Sequence, residues 1–392
     1  MPKISFFYKS HLFGYMVVGF DGKRAVLNNT GLGNYSRVLV QSLAENNPRS
    51  QFILYTPKLV DNPNLRTVMR YSNVHIKTPR KAIIGSYWRS VHGMMSDAHH
   101  NRVNIFHGLS GELPLDIRRS DIPSVVTVHD LIFLRFPQYY NFIDRKIYDF
   151  KARKACVNAN RIIAISECTK RDIVHFYGID PEKIDVAYQG CNQIFHEEVT
   201  QAQIDKVRSK YDLPHNFIVC VGTVEERKNA LLAVKALADI DDKEVKLVLI
   251  GHHTKYFDKI KAFVHANGLR HRVVCLSRVR FKHLPVIYHM ARASVYPSRY
   301  EGFGLPVLES QSCGTPVIAA KGSCLEEAGG KAAIYVDPDS VEQMTAALNT
   351  VLGDSARHEQ MVKDGLENAA KFNNDAMAQR VMEIYRNVLN SI

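Results

Sequence analysis

The sequence predicts an α/β protein made of two domains, each built on a parallel sheet. Three observations carry this. Short apolar runs alternate with helical segments along the whole chain, the pattern of parallel β-α-β units. A polar turn, YQGCNQIF at 188–195, interrupts the alternation near the middle. The length, 392 residues with 46% apolar, suits two cores rather than one.

The strands of the first half are expected at 16–20, 51–55, 105–107, 125–129 and 161–165. Those of the second are expected at 217–221, 246–250, 273–276, 294–296 and 317–319. Helices are expected between them, including 35–45, 230–238 and 284–290. A last helix over 375–389 places Met377, Val381, Ile384, Tyr385 and Val388 on one face, with Asn374 as its cap. These boundaries give domains 1–190 and 191–374, followed by the helix 375–392. Residues 1–15 form an extension ahead of the first strand, either an extra strand at 4–8 or a segment before a natural start at Met16.

Bulk properties narrow the function. No apolar run reaches the roughly 18 residues of a membrane span, and the start has no secretory h-region. Seven cysteines are scattered without a CxxC pair. A reduced, cytoplasmic protein without structural disulfides is therefore expected. The net charge of +12 is uneven: residues 1–190 hold 26 Lys and Arg against 15 Asp and Glu, while 191–392 hold 25 against 24. The densest basic groups are Lys77, Arg80, Lys81 and Arg89, then Arg145, Lys146, Lys151, Arg153 and Lys154. Such a face serves an anionic membrane, a phosphorylated acceptor or plain solvation. No nucleic-acid recognition motif or interleaved aromatic accompanies it.

The densest chemistry lies in EGFGLPVLE, Glu301 to Glu309, followed by GTPV. Pro306 suits a first helical turn and Gly314 a helix end. The backbone of Gly302, Phe303, Gly304 and Leu305 then sits at a helix N-terminus, which favours phosphate. Glu301 and Glu309 flank that cradle and can each take a hydroxyl pair. The ligand this describes has sugar at both ends and phosphate between.

Two further loops follow strands and open helices. Thr30-Gly31-Leu32-Gly33-Asn34-Tyr35-Ser36 lets backbone approach a ligand, but Ser36 stands where a dinucleotide fingerprint has its third glycine. The next strand ends in Tyr55-Thr56 rather than an acidic residue, which disfavours a nicotinamide enzyme. Gly222-Thr223-Val224-Glu225-Glu226-Arg227-Lys228 puts two cations at a strand end, where Arg binds a diphosphate bidentately and Lys acts as a point charge. His129 ends a strand and is read as a donor to a sugar hydroxyl or a departing phosphate, with His107 a weaker version of the same. Ser166-Glu167 reads as a helix cap. The triples Asp239-Ile240-Asp241 and Asp337-Pro338-Asp339 read as turns, and no residues have metal-ligand spacing.

Together these stretches resemble the family-4 retaining glycosyltransferases, which have the two-Rossmann GT-B fold. The matching landmarks are NNTGLGNYSR (28–37), VTVHDL (126–131), AISECTKRDI (164–173), GTVEERKN (222–229), YPSRYEGFGLPVLES (296–310), GTPVIAA (314–320) and AAIYVDP (332–338). The resemblance implies two Rossmann-like domains facing a cleft, with the last helix crossing back to the first. It implies that Glu301 binds the donor sugar, Glu309 the nucleotide ribose, and Arg227 and Lys228 the diphosphate. The amides of Phe303 to Leu305 would assist, Gly31 and Gly33 would let a loop close on the phosphates, and His129 would contact the sugar. Gly222, Thr223 and Gly302 would line the site, and Val279 would lie near the base. No cofactor or metal is implied beyond the donor.

The resemblance thus implies transfer of a hexose, mannose favoured, from a UDP or GDP sugar to a glycan or lipid-linked acceptor, on a first domain with peripheral contact to an anionic membrane. Two departures stand out: Glu326 replaces a proline usual before the position of Glu327, and Asn374 replaces an aromatic near the last crossover. Alternatives are a GT-B epimerase and a non-catalytic nucleotide-sugar-binding protein.

Overall fold

The computed structural model describes residues 15–79, 88, 89 and 93–392. The proposed strand at 4–8 and the cations Arg80 and Lys81 lie outside the described residues. The chain divides into two compact units. One takes the described residues up to Gly190 together with Asn374–Ile392, and the other is Cys191–Asn373.

The first unit holds a seven-stranded sheet: β1 (Val17–Asp21), β2 (Gln51–Tyr55), β3 (Val74–Lys77), β4 (Ile105–Gly108), β5 (Ser124–Val128), β6 (Arg161–Ala164) and β7 (Ile184–Val186). The spatial order is β3-β2-β1-β4-β5-β6-β7, and every pairing is parallel. β1 and β5 are buried at every residue, as strands covered on both faces require. One face is covered by the helix Gly31–Asn46 and by the C-terminal helix Asn374–Asn390. The latter buries Met377, Ala378, Val381, Ile384, Tyr385 and Val388 against Leu39, Leu43 and Val18. Its helical apolar period is what sends it there.

The second unit holds β8 (Phe217–Val221), β9 (Lys246–Ile250), β10 (Val273–Leu276), β11 (Ala293–Tyr296), β12 (Val317–Ala320) and β13 (Ala333–Val336), in the order β10-β9-β8-β11-β12-β13. These pairings are also all parallel.

In both sheets the order reverses beside the first strand, at β1/β4 and at β8/β11. The crevice outside the carboxyl ends of those strands is where doubly wound sheets take ligands.

The structure corrects several boundaries. Three short edge strands, β3, β7 and β13, were not among the expected ones. The helix expected over 35–45 begins at Gly31. Its first turn passes so close to the preceding loop that a Cβ on Gly33 would lie 1.9 Å from the Asn28 carbonyl oxygen. Arg37 locks this arrangement by donating to the carbonyls of Ala25 and Asn28. Tertiary contact, not propensity, starts this helix.

Candidate active site

At the β8/β11 reversal the two strand ends deliver opposite charges. β8 leads through Gly222 and Thr223 to a short turn, Glu226–Lys228. β11 leads through Ser298 to Glu301. Arg227 Nη1 lies 2.9 Å from Glu301 Oε2, and Lys228 Nζ 2.5 Å from Oε1. Ser298 donates to the same Oε1 at 2.5 Å, and Tyr296 donates to it at 3.3 Å while accepting from Lys228 at 2.6 Å. Arg227 also donates to the Tyr300 carbonyl and pairs with Glu225. Burial acts to raise the Glu301 carboxyl, but Lys228 and Arg227 outweigh it and hold it at about 2. Glu301 is therefore an anion at any physiological pH.

Close backbone packing shapes this corner. Gly222 takes φ +150° and extends the ladder to the Ile250 carbonyl. A Cβ on Gly251, the residue after β9, would sit 1.9 Å from the Gly222 oxygen. Gly251 is thus a required glycine that sequence reading missed, because the demand comes from a neighbouring strand.

The helix Leu305–Ser312 starts immediately beyond Glu301. Its N-cap, Gly304, has φ +112°, and Pro306 lies in the first turn. The cap is a glycine, so the positive end of the helix carries no side-chain cap. Phe303 is buried and packs on Phe372, which fixes the loop Gly302–Gly304 beneath. Glu309 lies one turn along the helix and is half-buried, and the Tyr288 hydroxyl donates toward it at 3.5 Å. Burial pushes its carboxyl up to about 7, against the smaller opposing effects of Tyr288 and Lys228. The two glutamates of one motif therefore have opposite electrostatics.

Val279 is half-buried on the loop after β10, two strands from β8. Asp337 and Asp339 are held in ion pairs with Lys321 and Arg299. Among the described residues no group of three His, Cys, Asp or Glu side chains has metal-binding geometry.

In the first unit, Gly31 has open space around it, whereas Gly33 is confined as described. β5 ends at Val128, one residue before His129. The His129 Nε2 lies 2.9 Å from the Leu109 carbonyl oxygen, and the ring meets Tyr35 edge-on at 4.5 Å. A carbonyl only accepts, so Nε2 carries the proton. Burial lowers the ring to about 4 and keeps it neutral. This corrects the expected donor role: the single N–H is spent on Leu109, and Nδ1 can only accept, as from a sugar hydroxyl. His107 is wholly buried, with Nδ1 on the Tyr385 hydroxyl at 2.5 Å and Nε2 on Thr127 Oγ1 at 2.7 Å. It ties the C-terminal helix to β4 and β5 and is structural. Ser166 caps its helix by accepting from Thr169 N–H.

The first unit also carries a half-covered helix, Phe142–Asn158, whose second half buries Ala152, Ala155 and Cys156 in the core. Its first half is almost entirely exposed, with Phe142 at 64% and Ile143 at 66%. Ile147 and Phe150 continue the apolar edge among Lys146, Lys151, Arg153 and Lys154. No described helix is long and apolar enough to cross a membrane.

Comparison with known proteins decides the family. Residues 30–193 match the model of glycosyltransferase family 4, and residues 202–368 match that of glycosyl transferases group 1. The chain belongs to the family-4 glycosyltransferases. This glycosyltransferase is 26% identical to the O-antigen chain mannosyltransferase B of Escherichia coli, over 91% of this chain and 96% of that protein. Among solved structures it superposes on sucrose-phosphate synthase from Thermosynechococcus elongatus with a TM-score of 0.74, at 20% identity over 96% of this chain and 100% of that one. It superposes on Anabaena HepE, solved with UDP and glucose, with a TM-score of 0.71, at 18% identity over 96% and 100% of the two chains. The fold is GT-B, as the sequence resemblance implied.

Proposed function

We propose that this glycosyltransferase moves a hexose, mannose favoured, from a nucleotide diphosphate sugar to a glycan or lipid-linked acceptor hydroxyl, with retention of the anomeric configuration. The observation that carries the reading is the convergence of Arg227, Lys228 and Glu301 beside an uncapped helix N-terminus, within reach of one diphosphate sugar. The mannosyl preference and a place in polysaccharide assembly rest on the name of the Escherichia coli relative.

In this reading the donor's diphosphate takes over Arg227 and Lys228, each charge-assisted bond contributing about 1.5–3 kcal/mol. Glu301 is thereby released to accept hydroxyls of the sugar. Glu309 accepts from the ribose. As the bond from the anomeric carbon to the diphosphate oxygen breaks, the acceptor oxygen bonds to that carbon on the same face. The leaving phosphate takes the acceptor's proton, while the two cations and the helix end stabilise its growing charge.

The acceptor end of the reaction is proposed to lie at an anionic membrane surface. The exposed edge of Phe142, Ile143, Ile147 and Phe150 sits among cations, as in helices that lie in a bilayer interface.

Incubation with GDP-mannose, or with UDP-glucose, and an oligomannoside acceptor tests the reaction, with product linkage read by NMR. An α-linked product from an α-linked donor supports retention. A β-linked product contradicts it, and an altered nucleotide sugar formed without acceptor points to an epimerase.

A further inference from the structure

Beside the turn that carries Arg227 and Lys228, the second unit holds a cavity of about 190 Å³. At about 30 Å³ per water, that is room for about six waters. None of Arg227, Lys228, Glu301 and Glu309 lines it. The fold assembles it from separate segments. Glu226 comes from the turn after β8, Lys235 from the helix Ala230–Asp239, and Tyr256 and Lys259 from beyond β9. Arg299 and Asp339 come from the loops after β11 and β13.

Three cations, Lys235, Lys259 and Arg299, meet two carboxylates here, although residues 191–392 as a whole are nearly neutral. The carboxylates hold these cations weakly. Arg299 is 29% exposed, but the Asp339 that pairs with it at 2.6 Å is 71% exposed. Lys259 and Glu226 are both exposed and 3.4 Å apart. Exposed pairs of this kind contribute little and give way to a better anion. Lys235 is half-buried, on a helix that is otherwise apolar up to Asp239, and makes no ion pair among the described residues. A lysine withdrawn from water in this way ordinarily has a partner.

We infer that this cavity binds a phosphate group, as free phosphate or a small phosphate monoester, on Lys235, Arg299 and Lys259. The Arg299 guanidinium offers a fork to two phosphate oxygens, and the lysines act as point charges. Once Asp339 and Glu226 turn to water, three cations face the ligand, which favours a phosphate dianion over a singly charged carboxylate. Tyr256 and Leu232 give the carbon skeleton of an ester an apolar wall. The inference goes beyond the transferase reading and does not rest on it. The two sites nevertheless share one turn: Glu226 and Arg227 are neighbours in it, and the Arg299 amide donates to the Arg227 carbonyl at 2.9 Å.

Titration calorimetry of the full chain with inorganic phosphate and with glycerol 3-phosphate, at constant ionic strength, tests this. The wild type is expected to bind. Lys235→Met, which breaks no ion pair and should leave the melting temperature unchanged, is expected to weaken binding about tenfold, as is Arg299→Gln. Asp339→Asn frees Arg299 and is expected to tighten binding about threefold, an effect that a merely structural role for the pair would not produce. Lys228→Ala is expected to leave this binding intact. Tighter binding of glycerol 3-phosphate assigns the site to a phosphorylated metabolite, and equal binding assigns it to free phosphate. No binding in the wild type overturns the inference, as does binding indifferent to both Lys235→Met and Arg299→Gln. Binding lost only in Lys228→Ala overturns it too, by placing the phosphate beside Glu301.

Discussion

Lys228 Nζ and Glu301 Oε1 lie 2.5 Å apart, so the cation proposed for a diphosphate and the carboxylate proposed for a sugar neutralise each other. Arg227 joins the pair at 2.9 Å. The site is therefore held together by the same charges that a donor would redistribute.

This coupling predicts the behaviour of Glu301→Gln. The substitution takes the carboxylate from two mostly buried cations, leaving Lys228 on the Tyr296 hydroxyl and Arg227 on Glu225. Removing one partner of a fully buried pair costs about 3–5 kcal/mol, and the residual exposure here lowers the expectation to about 2–3 kcal/mol. A nucleotide diphosphate supplies the missing negative charge, so UDP or GDP should raise the melting temperature of the variant more than that of the wild type. Scanning calorimetry with and without nucleotide checks this. An equal or smaller rise in the variant would break the proposed exchange of partners.

Lys228→Ala separates catalysis from binding. If the lysine stabilises the departing phosphate, turnover should fall about 100- to 1000-fold, with acceptor KM nearly unchanged. Steady-state kinetics with varied acceptor reads both constants. A parallel loss of kcat and acceptor affinity would sink the electrostatic account.

Glu309 sets a pH dependence. Its folded carboxyl titrates near 7, above the ordinary 4.5. Between these values the folded chain holds a proton that the unfolded chain releases, so this group's contribution to stability falls as pH rises from about 4.5 to about 7. In the proposed role ribose hydroxyls donate to the ionised form, so nucleotide affinity should rise over the same window. Glu309→Gln should flatten both profiles. Calorimetry and titration across pH 5 to 8 measure them, and an unchanged affinity profile in the variant would remove Glu309 from the ribose role.

Much of the candidate site was legible because its parts are contiguous in the chain. Glu301, Gly304, Pro306 and Glu309 lie on one loop and helix, and Arg227-Lys228 directly follow a strand end. Tyr296 and Ser298 fall within the same recognised stretch, yet their hydrogen bonds to Glu301 depend on side-chain orientation that no spacing encodes. Gly251 was invisible because its demand is the Gly222 oxygen on the next strand. The His107–Tyr385 bond spans 278 residues and has no local signature. β3 and β7 interrupt their apolar runs with His75 and Asp185, so they lack the continuous signal of a buried strand. The direction of His129's hydrogen bonding needed the Leu109 carbonyl, which is 20 residues away.

Membrane contact should need both halves of the exposed helix Phe142–Asn158. Each surface cation contributes about 1 kcal/mol to binding anionic lipid, and the apolar edge adds burial. Charge reversal at Lys151, Arg153 and Lys154 should weaken co-sedimentation with phosphatidylglycerol vesicles. Phe142→Ser with Ile143→Ser should leave a residual binding that salt abolishes. Sedimentation unchanged in both variants would return this helix to a solvated surface.

The central claim is that the second unit binds a nucleotide diphosphate sugar through Glu309 and the Arg227-Lys228 pair. A thermal-shift panel of UDP, GDP, ADP and their common sugars, with and without EDTA, tests it most directly on wild type and Glu309→Ala. The account predicts a shift selective for one base, unaffected by EDTA and lost in the variant. A folded wild-type protein that no nucleotide stabilises would contradict it.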